Sequence, residues 1–287
     1  VSAKAIVRGT GYIIAGFLLA RAFLTTKSRL KALLAIGAVA ITALMGYGFY
    51  TQFAAGVAIY QDIAQPFFKN HCIYAAYLAM AFAMLSAFVT GYAKTGWRTW
   101  GLALLGLWAF AITMTFVRGA WISLAALGVY YAWLYRRQMD LKLFVFGTVA
   151  VFTGVVIAGW LELAPLFAER LGHLTDPGYI TNYDRIDRWM AALLMFRDHP
   201  WLGAGWGRYA DEYYRYIYFT DTYSTQIRMG AHNLYLHLLA ESGLAGAAAY
   251  TFLLGCFFRQ VSRLRKRCGD LFLQTVLTGV AGAMLTY

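Results

Sequence analysis

Eight apolar runs recur along this chain, near residues 10–24, 32–50, 71–93, 99–117, 119–135, 143–161, 233–258 and 271–287. A helix needs about 20 mostly apolar residues to cross the hydrocarbon of a bilayer. The runs therefore predict an all-α polytopic membrane protein with about eight transmembrane helices. Composition agrees: 13% of residues are charged, against roughly 25% in soluble domains. No small-residue cleavage site follows the first run, so it reads as a span rather than a cleaved signal. The chain begins at Val1 and stops at Tyr287 inside an apolar run, which suggests a longer parent chain.

The net charge of +12 would suit a nucleic-acid binder, but its placement points elsewhere. Basic residues cluster in alternate connections: Lys27, Arg29 and Lys31; Lys94 and Arg98; Arg136, Arg137 and Lys142; and Arg259, Arg263, Arg265, Lys266 and Arg267. Excess Lys and Arg marks cytoplasmic loops, so no nucleic acid is needed to explain the charge. The remaining connections then face outward. Cys72, Cys256 and Cys268 have no metal-ligand spacing and read as buried filler.

The expected organisation is a single integrated membrane domain: six spans in 1–161, a structured periplasmic loop over 162–230, and two spans in 231–287. The loop carries seven arginines, no lysine and nine acids. Pro165 can open a short helix in LFAERLGHL, TDPG at 175–178 signals a turn, and 182–200 is a helix capped by Asn182 and ended by Pro200. Its register comes from Ile186, Trp189, Met190, Leu193 and Phe196. Arg185 and Arg188 share one face, and Asp184 is placed to pair with Arg188. Guanidinium grips phosphate through two parallel N–H bonds, whereas ammonium is a point charge. An arginine-only loop at a membrane surface thus suits a pyrophosphate headgroup, although ordinary pairing with the nine acids would also account for any single arginine. Arg118, in FVRGAW at a tight turn between two apolar runs, has no charged neighbour in sequence and needs an anion from elsewhere or a lipid headgroup.

The stretch GAHNLYLHLLAESGLAG, 230–246, puts ionisable groups at the start of a span, where they are costly without partners or a task. On a helix, Asn233, His237 and Glu241 fall on one face and can support one another. Ala240, Gly243 and Ala247 form a small-residue stripe suited to close helix packing. His232 is not needed for that network. It stands at the mouth beside the arginine loop, where positive neighbours disfavour the imidazolium, and this describes a base. GAGWG, 203–207, lacks the spacing of a phosphate loop and reads as a tight turn or close packing. No metal or cofactor motif is present in the sequence, and no D-x-D.

Three stretches together resemble the O-antigen ligase and polymerase superfamily of bacterial envelope glycosyltransferases: FVRGAW; DRIDRWMAALLMFRDHPWLGAGWGRY, 184–209; and AHNLYLHLLAESGLAG, 231–246. The resemblance covers roughly 70–258. It implies a multi-pass protein of the bacterial inner membrane, with more spans than are counted here and its active site facing the periplasm. It implies transfer of a glycan from a polyprenyl diphosphate to a hydroxyl, on lipid A-core for a ligase, on another lipid-linked glycan for a polymerase, or on a protein. Its span-end arginine matches Arg118, its loop arginines match Arg185 and Arg188, and its histidine matches His232. No cofactor or metal is implied. A solute or anion transporter is the rival of another class; it would show broken spans and several charges at mid-membrane, where only Glu241 and Arg21 occur.

Overall fold

The computed structural model describes residues 24–54, 67–92, 95–135, 180–217 and 230–286, apart from 69 and 116, with scattered positions between 11 and 22. Every element among them is helical: α1 Lys27–Ala54, α2 His71–Gly91, α3 Thr95–Met114, α4 Arg118–Tyr135, α5 Ile180–Asp198, α6 Tyr209–Glu212, a 3-10 turn Tyr213–Arg215, α7 Leu234–Arg267 and α8 Leu271–Thr286. Three stretches are long and apolar enough to cross a membrane, Lys27–Thr51, His71–Gly91 and Leu234–Arg267; α4 and α8 carry shorter apolar segments. The run expected at 143–161, the helix expected in LFAERLGHL and the turn at 175–178 lie outside the described residues. The turn expected at Thr115–Arg118 falls between α3 and α4.

The chain divides into two compact units. One contains α1–α4, the end of α7 from Phe258, and α8. Its packing is that of membrane helices, in which small residues let backbones approach. Ala75, Ala79, Ala83 and Ala87 recur every fourth residue on α2 and are wholly buried. α8 packs along α2: a Cβ added at Gly279 would meet Met84 Cα at 3.1 Å and Ala87 Cβ at 3.3 Å. The Tyr131 hydroxyl donates to the Ala83 carbonyl at 2.7 Å, satisfying a buried phenol from the neighbouring helix. Cys72 and Cys256 are exposed and Cys268 is half-buried, so the cysteines are not core filler.

The other unit contains α5, α6, the 3-10 turn and α7 up to Phe257. Its core is formed by Ala191, Ala192, Met195, Tyr209, Tyr213, Ala231 and Ala240. α5 starts two residues before the expected cap, so Asn182 lies inside the helix. The apolar stripe that reveals this helix is not its buried face. Ile186, Trp189, Met190 and Leu193 are exposed, while Asp184, Asp187, Arg188, Ala191, Ala192 and Met195 are buried. Polar groups can occupy the inner face because they are bonded there: Tyr213 donates its hydroxyl to Asp187, and Arg188 donates Nε–H to the Asp184 carbonyl at 2.8 Å.

α7 is not one continuous helix. Gly243 has φ 60° and ψ −160°, a conformation open essentially to glycine alone. The small-residue stripe therefore does not serve helix–helix packing at this position. The carbonyls and amides freed by the break are taken by the loop after α5. Ala204 and Gly205 donate to the carbonyls of Ala240 and Glu241 at 2.8 and 3.0 Å, and Leu244 and Ala245 donate to those of Pro200 and Trp201 at 2.8 and 3.1 Å. The glycines of GAGWG make this turn, with φ of 69°, 110° and 73° at Gly203, Gly205 and Gly207. Loop and helix interlock backbone to backbone.

Candidate functional site

The site in this second unit is assembled where α5, α6 and the start of α7 meet. Glu241 is buried, and its carboxylate is the hub. Oε2 accepts the Gly207 N–H at 2.8 Å and Oε1 accepts the Tyr209 N–H at 3.0 Å. His237 Nε2 lies 3.3 Å from Oε1. A buried carboxylate is tolerable when backbone donors and a neighbouring ring satisfy it. Glu241 thus fixes the loop against α7, and its pairing with His237 is one of three contacts rather than the whole network. The His237 ring also packs against Tyr209, tilted by 41° with centroids 5.0 Å apart, and Tyr209 stacks in turn on Tyr213 at 6.0 Å.

His237 Nδ1 faces the Ala231 N–H at 3.4 Å. The Ala231 carbonyl accepts the indole N–H of Trp189 on α5 at 3.1 Å. The residue before His232 is therefore held from both sides, by α7 and by the arginine-bearing helix. Asn233 caps α7: its Oδ1 accepts the N–H groups of Tyr235 and Leu236 at 3.0 and 3.2 Å. His232 lies between these two anchored residues, with φ 50°, a left-handed conformation that histidine visits more readily than most residues. Its side chain is solvent-accessible. Partial burial, then Arg188, Arg185 and His237, hold its pKa below the ordinary value of 6.5. Arg188 and Arg185 thus both act electrostatically on the imidazole.

The two arginines differ. Arg188 is buried and commits its Nε to the Asp184 carbonyl, and its own carbonyl accepts the Tyr209 hydroxyl at 2.6 Å. Burial lowers its pKa against the opposing charge of Asp184, but a guanidinium remains protonated. Arg185 is half-buried, and no carboxylate among the described residues lies within ion-pair distance of it. The other described loop arginines have ordinary partners: Arg197 pairs with Asp198 at 3.0 Å, and Arg208 and Arg215 with Glu212 at 2.7 and 2.8 Å. Arg118 is the first residue of α4, in the other unit. Among the described residues no group of three His, Cys, Asp or Glu could hold a metal.

Trp189, Tyr209, Tyr213 and Gly243 belong to this site's framework and are not evident as such in the sequence. The available signal was the pairing of two glycine-bearing stretches, GAGWG and E-S-G, inside the regions that carry the resemblance.

Residues 102–251, just over half of the chain, match the family described as O-antigen ligase. The chain belongs to the O-antigen ligase family, and it is a membrane protein. It is 26% identical over 164 residues to a ComP-specific O-oligosaccharyltransferase of Acinetobacter baylyi, covering 57% of this chain and 30% of that protein. It is 28% identical over 173 residues to an O-antigen ligase of Salmonella typhimurium, covering 58% of this chain and 41% of that protein. The matched stretches thus span less than half the length of either relative.

Proposed function

We propose that this chain transfers a glycan from a polyprenyl diphosphate donor to a hydroxyl acceptor at the periplasmic face of the bacterial inner membrane, with lipid A-core as the acceptor. The observation that carries this reading is His232: an accessible imidazole between two anchored residues, whose basicity is lowered by partial burial and then by Arg188 and Arg185. His232 takes the proton of the acceptor hydroxyl as its oxygen attacks the anomeric carbon. The bond from that carbon to the diphosphate oxygen breaks, and its electron pair leaves with the diphosphate. Attack opposite the leaving group inverts the anomeric centre. Guanidinium groups aimed at the diphosphate stabilise the charge that develops there. Arg185, without a carboxylate partner among the described residues, is the loop arginine that reaches it; Arg188 supports the helix from beneath. Arg118 supplies a second fork, on the strength of the family resemblance. No metal takes part.

The relative that glycosylates ComP supports a second acceptor class, a protein hydroxyl, and a polymerase would use another lipid-linked glycan. All three share the donor and the chemistry. The break at Gly243 is a feature that a transporter would also show. Here the freed backbone groups are taken up by the 200–205 loop, which favours a docking role for the break.

Arg185→Lys and Arg118→Lys keep the charge and lose the planar fork. A charge-assisted hydrogen bond contributes roughly 1.5–3 kcal/mol, so each variant is expected to lose ~10–100-fold in kcat/KM with purified protein and synthetic donor, at unchanged melting temperature. Full activity in both would remove the arginine clamp from the mechanism.

A further inference from the structure

We infer that the loop 200–206 is a membrane-seated turn, whose Trp201, Leu202 and Trp206 side chains lie in the lipid at the bilayer interface, at the end of α7 away from its basic cluster. The first observation is depth. The last residue of α7 before its basic run is Phe258. Counting back the roughly 20 residues that cross the hydrocarbon reaches Leu239. The loop is bonded level with residues just short of that point: Ala204 to Ala240, Gly205 to Glu241, Leu244 to Pro200 and Ala245 to Trp201. Along the unbroken segment after Gly243 the rise is about 1.5 Å per residue, so Leu244 and Ala245 lie ~20 Å from Phe258, within about 10 Å of the far boundary of a hydrocarbon layer about 30 Å thick.

The second observation is the loop's own hydrogen bonding. Irregular backbone is tolerated at membrane depth only where its polar groups are satisfied by protein. The N–H of Gly203 donates to the His199 carbonyl, those of Ala204 and Gly205 to α7, and that of Arg208 to the Gly205 carbonyl. Those of Gly207 and Tyr209 donate to the Glu241 carboxylate.

The third observation is what the loop exposes. Between Asp198 and Arg208 the sequence HPWLGAGWG has no Asp, Glu, Lys or Arg. Trp201, Leu202 and Trp206 are 72%, 76% and 58% exposed. Three large apolar side chains left outside the core on a loop held this rigidly need an apolar partner, and the depth of the loop makes that partner lipid. Tryptophan in particular favours the interface, where its ring is buried and its N–H stays near water. The turn thus seats the unit that carries His232 and Arg185 against the membrane that dissolves a lipid-linked donor.

Collision accessibility of a nitroxide tests this without reference to catalysis. Single cysteines replace Leu202 or Trp206 in the intact protein, with Cys72, Cys256 and Cys268 changed to serine, in nanodiscs of phosphatidylethanolamine and phosphatidylglycerol. Phe252→Cys, at an α7 position 70% exposed, is the lipid reference, and Lys266→Cys is the water reference. Both loop labels are expected to collide more with dissolved oxygen than with a water-soluble nickel chelate, giving ratios close to the Phe252 label and well above the Lys266 label. Ratios like that at Lys266 would put the loop in water. Low collision with both reagents would mean that protein covers it. Either result overturns the inference. Matching circular dichroism among the variants confirms that each is folded.

Discussion

His232→Ala is expected to lower glycan transfer by ~10²–10⁴-fold, the contribution typical of a positioned general base, with only the small loss of melting temperature that alanine costs at φ 50°. The side chain is accessible, and its neighbours Ala231 and Asn233 are held by backbone and capping bonds that alanine at 232 leaves intact. Donor binding should persist, because Arg185 and Arg118 remain. His237→Ala should do the opposite: it removes a partner of Glu241 and the acceptor facing the Ala231 N–H, so the melting temperature falls. The pH dependence follows from the sign of the His232 shift. Its folded pKa lies below 6.5, so the neutral base persists as pH falls through 6.5 and is lost only at lower pH. The acid limb of kcat/KM should therefore lie below 6.5, and Arg185→Gln, by removing a neighbouring cation, should move it upward. The unfolded chain takes up this proton first, so the same residue begins to destabilise the fold as pH falls through 6.5, and the full penalty is present below its folded pKa. Near-normal turnover in His232→Ala would take the base away from this residue. Neither buried carboxylate nearby is a ready substitute: Glu241 holds the loop amides, and Asp187 accepts the Tyr213 hydroxyl.

Gly243→Ala is expected to cost ~3 kcal/mol or more, the largest stability effect of any single substitution proposed for this unit. A Cβ at Gly243 would sit 2.5 Å from the backbone C and O of Trp201 and 2.7 Å from the Leu202 nitrogen. Gly203 has the reciprocal problem, at 2.3 Å from Glu241 C and Ser242 N. Backbone cannot rotate away as a flexible side chain can. Substitution also imposes a conformational penalty of roughly 1–3 kcal/mol in this glycine-only region and endangers loop bonds worth about 1 kcal/mol each. Gly207→Ala separates these terms: its φ is 73°, but nothing lies within 4 Å of the added Cβ, so it should cost only the conformational part. Thermal melts in detergent that rank Gly243→Ala with Gly207→Ala would show that the interlock contributes little.

The membrane helices were legible because their signal is local: apolar runs of sufficient length place α1, α2 and α7 whatever they pack against. The face that α5 buries was not legible. Ile186, Trp189, Met190 and Leu193 give the helical period, yet the buried side holds Asp184, Asp187 and Arg188. Burial there is decided by bonds to Tyr213 and to the α5 backbone, and the tyrosine lies 26 residues away. The break in α7 was hidden for a similar reason. A glycine in an apolar helix reads as a small packing residue, and only its partner, the Trp201 backbone, shows that it must leave the helical region. Within the site, the spacing of His237 and Glu241 put both on the first turns of α7, whereas Asn233 stands before the helix as its cap. Their division of labour, with Asn233 as cap and Glu241 as anchor for the 203–209 amides, depends on atoms contributed from elsewhere in the chain.

The central claim is bond cleavage at a lipid diphosphate, and one measurement addresses it directly. Purified intact protein is incubated with a synthetic polyprenyl diphosphate glycan and a hydroxyl acceptor, and both products are quantified. The account predicts one free polyprenyl diphosphate for each glycan transferred, with the new linkage inverted at the anomeric carbon. Donor that remains intact, while proteoliposomes containing the protein move an anionic solute across the membrane, would contradict it.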